Sequence, residues 1–366
     1  MKWWHKIILF FTILVVIAMG GAYLAMYVSP EDFWPLAFLG LGYFPILIVY
    51  LFFALIWFFL RRKIFYFLLI FFLIGIRSHL GYFSFGKLNN AKADEDEKSY
   101  RILQYNVKGL DAYNPEGKYF NRDKIINNIK SAGADIICLE EFNSYQNHPT
   151  EKSNLDMVIK ATGLKNYYYY KAYENTKGTR SFGIIILSRF AIIDTGHLNY
   201  ISLSKLNTTI YADMKIESDT VRVFCSHLQS TQLSHYDLEF IEPNNEAETD
   251  FSADRVTNKL KASFALRAQE VDTIAKAFRE SPHPLISCGD FNDTPVSYTY
   301  RKLSSDLQDA FLREGFGIGA TYSPFPVIRI DYQLCDEDAF RITGQFRIKE
   351  GSSDHFPCVS TFSLKD

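Results

Sequence analysis

No two cysteines in this sequence stand in a Cys-x-x-Cys arrangement, and the five present make an odd number. That argues against a disulfide framework. Cys138, Cys225, Cys288 and Cys358 lie in or beside apolar strand-like runs, where a thiol serves as a small hydrophobe. A basic surface is missing too. Residues 99–366 carry 30 Lys and Arg against 35 Asp and Glu, a net charge of −5. A protein that grips long nucleic acid ordinarily shows the reverse balance, because its affinity comes from neutralised phosphates. An acidic surplus suits a domain that gathers carboxylates round a divalent cation. Charge of either sign is scarce in the first quarter: Lys2, Lys6, Arg61, Arg62, Lys63 and Arg77 are the cations of residues 1–86, Glu31 and Asp32 the anions.

Hydrocarbon and aromatic side chains fill that quarter instead. Ile7–Tyr27 is an uncharged apolar run long enough to cross a bilayer at about 1.5 Å per residue. Leu36–Leu60 is a second, broken only by glycines and Pro45. A third, Ile64–Ile76, is short and ends at Arg77. It either spans by tilting, with Arg77 and the aromatics around Tyr82 at the interface, or dips in and returns. A signal peptide is the lesser reading of the first run, since no small-x-small cleavage pattern follows it and a second apolar segment comes at once. The positive-inside rule puts the N-terminus and Arg61-Arg62-Lys63 in the cytoplasm. Three crossings then place residues 87–366 outside the cytoplasmic membrane, and two place them inside. The first is preferred, giving a multi-pass membrane protein whose partner through residues 1–86 is the lipid bilayer. Residues 87–98, rich in charge and poor in apolar side chains, read as a linker to a catalytic domain over 99–366.

Within that domain the patterning alternates between strand and helix. Arg101–Val107 reads as a strand, and Asn121–Ala132 as a helix with Ile125, Ile126 and Ile129 on one face and Gly133 to stop it. Asp135–Leu139, Gly183–Leu187, Val221–Ser226 and Pro284–Cys288 read as strands, and Leu260–Phe278 as a helix. Polar residues stand at nearly every strand exit: Asn106, Glu140 and Glu141, His227, Asp290 and Asn292, Asp331, with Asp354 and His355 near the C-terminus. An α/β sandwich presents a site in this way. Any one of these residues alone is an ordinary turn residue, helix cap or structural histidine.

Taken in order, the segments LQYNVKG, DIICLEEF, SFGIIILSR, FCSHLQS, ISCGDFNDTP, RIDYQL and SSDHFP resemble the motifs of the endonuclease/exonuclease/phosphatase family. The resemblance covers roughly residues 99–363. It implies a four-layer α/β/β/α sandwich of the DNase I type, here preceded by transmembrane helices, and a hydrolase acting on phosphate esters. It also implies Mg²⁺ as cofactor, with Mn²⁺ as a substitute. Glu141 is the principal metal ligand by resemblance, with Asn106 alongside and Asp354 as a further ligand or supporting carboxylate. Glu140 is the competing choice; adjacent residues on an extended strand are expected to point to opposite sides, so only one of the two faces the ion.

Among the catalytic residues, Asp290 is implied to orient or deprotonate the attacking water and Asn292 to bind a phosphate oxygen. Their spacing on extended backbone is expected to turn both side chains one way. His227 and His355 can donate to developing negative charge, with Asp331 fixing the tautomer of His355. Whether Asp290 or His355 activates the water stays open. Lys108 stands where apurinic endonucleases of the family have an acid, which favours one metal over two. Arg180 is either a phosphate contact or a solvated loop residue, and Asp293 reads as a turn residue.

The stretch Gln229–Lys259, containing EFIEPNNEAETD, is either a surface loop or a lid. Three functions follow. The first is a membrane-held phosphoesterase that acts on a lipid head group or small phosphate ester. The second is a nuclease acting on DNA or RNA, and the third a catalytically silent binding module. No protein partner is indicated.

Overall fold

The computed structural model describes residues 2–86, 99–111, 121–147, 151–231, 253–349 and 352–365. The linker reading of 87–98 and residues 232–252 of the stretch read as a loop or lid lie outside the described residues, and from Ala253 that stretch is helical. The chain begins with helices. α1 (Trp3–Ala25) and α4 (Tyr43–Leu60) are long and apolar enough to cross a membrane, by length and composition. Between them lie the short α2 (Pro30–Phe33) and α3 (Pro35–Leu41); α5 (Arg62–Ile74) and α6 (Ile76–Leu80) follow, separated at Gly75. The second apolar run is therefore two helices, interrupted at Gly42.

The three longer helices run up, down and up. His5 stacks with Trp57, and Trp57 Nε1 donates to Thr12 Oγ1 at 2.8 Å, joining the start of α1 to the end of α4. Tyr43 stacks with Tyr82 and hydrogen-bonds His79, joining the start of α4 to the segment after α5. Lys2, Lys6, Arg61, Arg62 and Lys63 thus share one end of the bundle, while Ala25, Tyr43 and Leu80 share the other.

Two six-stranded sheets make the body of the molecule. The first is ordered β13-β14-β2-β3-β5-β4, from β2 (Ser99–Asn106), β3 (Ile136–Tyr145), β4 (Asn166–Glu174), β5 (Arg180–Ser188), β13 (Phe340–Arg347) and β14 (Cys358–Leu364). The second is ordered β10-β12-β9-β8-β7-β6, from β6 (Ala191–Leu198), β7 (Thr208–Ile216), β8 (Asp219–His227), β9 (Leu285–Asp290), β10 (Leu307–Asp309) and β12 (Asp331–Asp336). Alternation along each strand divides its side chains between two cores. Ile102, Cys138, Ile186, Ile210, Cys225 and Cys288 meet between the sheets, while Leu103, Ile137 and Leu187 face out to the helices.

α7 (Arg122–Ser131) and α8 (Asn154–Thr162) cover the first sheet, and α7 buries Ile125, Ile126 and Ile129 as the helical spacing predicts. α9 (Ala253–Arg279) covers the second sheet, through Val271, Ile274 and Ala275. All five cysteines are buried and unpaired. The product is the four-layer α/β/β/α sandwich expected from the sequence.

The N-terminal helices sit against one end of this sandwich. Gly40 of α3 lies so close to the loop after β9 that a Cβ there would come within 2.4 Å of Val296 O. Val296 is buried in the helices' own apolar cluster, and Thr294 Oγ1 donates to Gly40 O at 3.2 Å. Gln269 of α9 donates to Glu31 at 2.6 Å, and Arg329 Nη2 donates to Gly81 O at 3.1 Å. Finally β1 (Phe83–Phe85) forms an antiparallel ribbon with β11 (Phe316–Ile318), which follows the short helix Ala310–Glu314. Side chains near residue 86 thus belong to the sandwich as much as to the helices.

Candidate active site

Strand direction brings the polar residues to one edge. β2 runs parallel to β3, and β8 parallel to β9, so Asn106, Glu140, His227 and Asp290 all emerge at the same end. β12 is antiparallel to β9, with Asp331 opposite Asp290. Asp331 therefore opens its strand instead of closing one, yet reaches the same edge. His355 precedes β14, which is antiparallel to β2, and arrives there likewise. The segments carrying Asn106 and Asp290 belong to different sheets, and the sandwich packs them face to face.

At the centre, Asn106 Nδ2 donates to Asp290 Oδ2 at 3.0 Å and to Glu141 Oε1 at 3.3 Å. Its Oδ1 accepts the Lys108 N–H at 3.1 Å. Asp290 Oδ1 accepts the Asn292 N–H at 2.9 Å, so both of its oxygens are engaged. His355 Nδ1 lies 2.9 Å from Asp331 Oδ2, leaving Nε2 3.6 Å from Asp290 Oδ2. His227 Nδ1 lies 3.2 Å from Leu206 O, and its Nε2 stands 3.7 Å from Glu141 and 3.8 Å from Asp290. Both imidazoles thus turn Nε2 towards one carboxylate.

The electrostatics follow from burial and crowding. Burial pushes Asp290 above the usual carboxylate range, although His355 beside it pulls the other way. His355 is buried as well, which alone would lower it. Asp331 and Asp290 outweigh that and raise it well above an ordinary histidine. Asp354 is held below its usual value: burial opposes this, but His355 and Lys108 prevail. Lys108 Nζ meets Asp354 at 2.8 Å, so the residue that departs from the apurinic-endonuclease pattern neutralises one of the expected ligands.

Two expectations based on extended backbone need correction. Glu141 has φ +50, and the pairing of β3 with β5 shifts register between Leu139 and Phe142. Across this bulge Glu140 and Glu141 do not simply point apart. Glu141 reaches the half-exposed rim, where Asn106 and His227 meet it. Glu140 is fully buried beneath the same cluster, accepting from Gln104 Nε2 at 2.9 Å and from Cys225 Sγ at 3.3 Å. Desolvation, then Asp331 and Asp290, raise it well above the normal range, so it suits a neutral structural acid better than a ligand.

Asn292 has φ +53, and its Nδ2 donates to Leu228 O at 3.0 Å, so strand alternation does not align it with Asp290. Asp293 is more than a turn residue. It is buried, pairs with Arg267 at 3.0 Å and accepts from Thr299 Oγ1 at 2.8 Å. Arg180 opens β5 and does not stand in a loop; it donates to Asn143 Oδ1 at 3.4 Å and lies over the Phe182 ring.

Sequence reading passed over Gln104, whose Nε2 also donates to Asp331 Oδ1 at 2.9 Å. The available signal was its position two residues before Asn106, on the same strand face. It passed over Tyr322 too, whose ring meets His355 edge-on at 5.2 Å.

The donor set fits a hard divalent cation. Glu141 and Asp354 offer carboxylate oxygens, Asn106 has an Oδ1 that here accepts the Lys108 N–H, and carboxylates in the cluster outnumber its cationic partners. Asp290, Asp331 and His355 also approach one another closely enough to share an ion. Their geometry reads instead as a carboxylate–imidazole pair, Asp331 engaging Nδ1 of His355 and leaving Nε2 turned to Asp290.

Solved structures share this architecture. An endonuclease/exonuclease/phosphatase from Beutenbergia cavernae DSM 12333 superposes with a TM-score of 0.50 at 15% identity, covering 73% of this chain and 72% of that one. The catalytic domain of human Nocturnin with bound sulfate gives 0.50 at 15%, covering 73% and 95%. A functionally unknown conserved protein from Enterococcus faecalis V583 gives 0.50 at 14%, covering 72% and 100%. At such identities the likeness concerns the fold. No curated protein matches the chain. Residues 5–82 match a model described as a domain of unknown function. Residues 103–355 match the model of the Endonuclease/Exonuclease/phosphatase family, and the chain belongs to that family of metal-dependent hydrolases acting on ester bonds.

Proposed function

We propose that this protein is a membrane-anchored phosphoesterase that hydrolyses a phosphodiester or phosphomonoester by in-line attack of water. The observation that carries the reading is the convergence of two imidazole Nε2 atoms and the Asn106 amide on Asp290, at the edge where Glu141 and Asp354 supply further oxygens. Glu141, Asn106 and Asp354 would hold Mg²⁺, with Mn²⁺ able to replace it; when bound, the ion neutralises phosphate oxygens and polarises the ester.

The chain's own residues do the rest. Asp290, raised by burial and fixed by Asn106 and the Asn292 N–H, is placed to accept a hydrogen from the attacking water. His355, kept cationic by Asp331, donates Nε2–H to a phosphoryl oxygen, and His227, whose Nδ1–H goes to Leu206 O, turns its Nε2 to the same region from the other side. Asn292 would contact the same oxygens through the Nδ2 hydrogen not given to Leu228 O. Helices α1, α4 and α5–α6 would cross the cytoplasmic membrane. Their cationic end then lies in the cytoplasm and residues 99–366 on the extracytoplasmic side.

With Mg²⁺, the full chain in nanodiscs is expected to hydrolyse bis(p-nitrophenyl) phosphate or p-nitrophenyl phosphate, and EDTA is expected to abolish turnover. Asp290→Asn should lower kcat by roughly 10²-fold or more with thermal unfolding unchanged. Normal turnover in that variant sinks the assignment, and absence of any hydrolysis favours the silent binding module. Protease added to intact cells should cut the catalytic domain; cleavage only after lysis reverses the topology.

A further inference from the structure

We infer that the catalytic face is clamped against the bilayer and that the substrate is a phosphate ester carried by a membrane lipid. This rests on the phosphoesterase reading above and narrows it to a substrate class.

The first observation is where the helices grip the sandwich. Asn292 precedes Val296 by four residues, and Val296 is buried in the apolar cluster of the helix bundle. Fully extended, that length of chain spans at most about 14 Å. On the other flank of the site, Arg329 donates to Gly81 O at 3.1 Å, and Arg329 is two residues from Asp331. Both strands that present the central carboxylates are therefore tied to the helix ends by short segments. The apolar belt of the bundle reaches the same level: Leu80 is 50% exposed, and the adjoining Gly81 lies against Pro295. Each polar interfacial layer of a bilayer is only about 5–8 Å deep, so a site tethered this closely meets head-group phosphates first.

The second observation continues the belt onto the sandwich. In the β1–β11 ribbon Phe85 lies directly opposite Phe316, so the two rings share a face. They are 83% and 49% exposed. The opposite face is the one that packs inward, where Ser84 Oγ donates to Leu312 O at 3.1 Å. Paired exposed phenylalanines would be an aggregation hazard in water but are ordinary in an aromatic membrane belt. Their ribbon begins three residues after Leu80, so the occupant of this face is the same lipid that surrounds the helices. A polymeric nucleic acid would have to enter between the bilayer and a catalytic domain of net charge −5.

The test uses the full chain with Mg²⁺ in phosphatidylcholine vesicles doped with phosphatidic acid or phosphatidylglycerol. Glycerol 3-phosphate, glycerophosphoglycerol and a single-stranded oligonucleotide are the water-soluble comparisons. At least one lipid should turn over roughly a hundredfold faster than its soluble counterpart, because surface confinement raises the effective concentration. Phe85→Ser/Phe316→Ser should reduce lipid turnover roughly tenfold while leaving bis(p-nitrophenyl) phosphate turnover unchanged.

An activity-independent readout is available because the five native cysteines are buried. Phe85→Cys bearing an environment-sensitive dye should be quenched by brominated lipids. Equal or faster turnover of the soluble esters or the oligonucleotide, an unquenched dye, or hydrolysis of bis(p-nitrophenyl) phosphate with none of the lipids cleaved would overturn the inference while leaving the phosphoesterase standing. No hydrolysis of any substrate would remove both.

Discussion

Glu140 and Glu141 differ by one position and by almost everything else. One is sealed between the sheets against Gln104 and Cys225, the other stands at the rim beside Asn106 and His227. Only a carboxylate that keeps access to water can exchange it for a cation. Glu141→Gln is therefore expected to weaken Mg²⁺ by at least about tenfold, read as the metal dependence of turnover or by calorimetry. Glu140→Gln, which keeps an acceptor for Gln104, should leave metal affinity close to wild type. The reverse ranking would mean that the bulge in β3 does not select the ligand. Sequence reading named no partner for Lys108 or Arg180, and the fold supplies one for each. Lys108 neutralises Asp354, and Arg180 spends its charge over an aromatic ring.

Elements rather than single residues determine how firmly the Asp290 loop is held. The loop after β9 is pinned from α9 by Arg267, which is almost wholly buried and pairs with Asp293. Asp293→Ala would strand that guanidinium, and breaking a buried pair from one side typically costs about 3–5 kcal/mol. A fall of that size in unfolding free energy is expected, and a change below about 1 kcal/mol would contradict the pairing.

One turn further along α9, Glu270 accepts the Gln229 N–H at 2.7 Å, and burial raises its carboxyl to about 7. The folded state therefore holds this proton where the unfolded chain, near 4.5, has released it. Its contribution is full below pH 4.5 and is lost as pH rises through about 7. Glu270→Gln should flatten the decline of stability with pH across that window, as thermal unfolding at several pH values will show. An unchanged slope would dissociate Glu270 from it.

At the scale of the whole molecule, the helices and the sandwich share too much surface to be treated as an anchor and an independent enzyme. Val296 and Thr294 rest on α3, Tyr82 lies in the bundle's cluster, and β11 takes its only ribbon partner among the described residues from β1. Cutting the chain down to residues 99–366 uncovers Val296 and removes the Gly81 carbonyl from Arg329. That fragment is expected to unfold at lower temperature and to turn over bis(p-nitrophenyl) phosphate with a lower kcat than the full chain in nanodiscs. Equal stability and equal kcat would show the two parts to be separable.

The sequence by itself determined the apolar runs, the sandwich class and the order of the polar motifs. These depend on composition, on periodicity within a strand or helix, and on short segments whose residue types carry recognisable chemistry. Tertiary structure alone decided which glutamate reaches the rim, that Asp331 opens its strand, that Asn292 turns away from strand geometry, and that Lys108 meets Asp354. Each of these hinges on a positive φ or on a partner tens to hundreds of residues away, and neither leaves a periodic trace. The docking of α3 and Tyr82 on the loop after Asp290 is of the same kind. It arises where Gly40 lets two backbones approach, a contact that no local pattern in either segment announces.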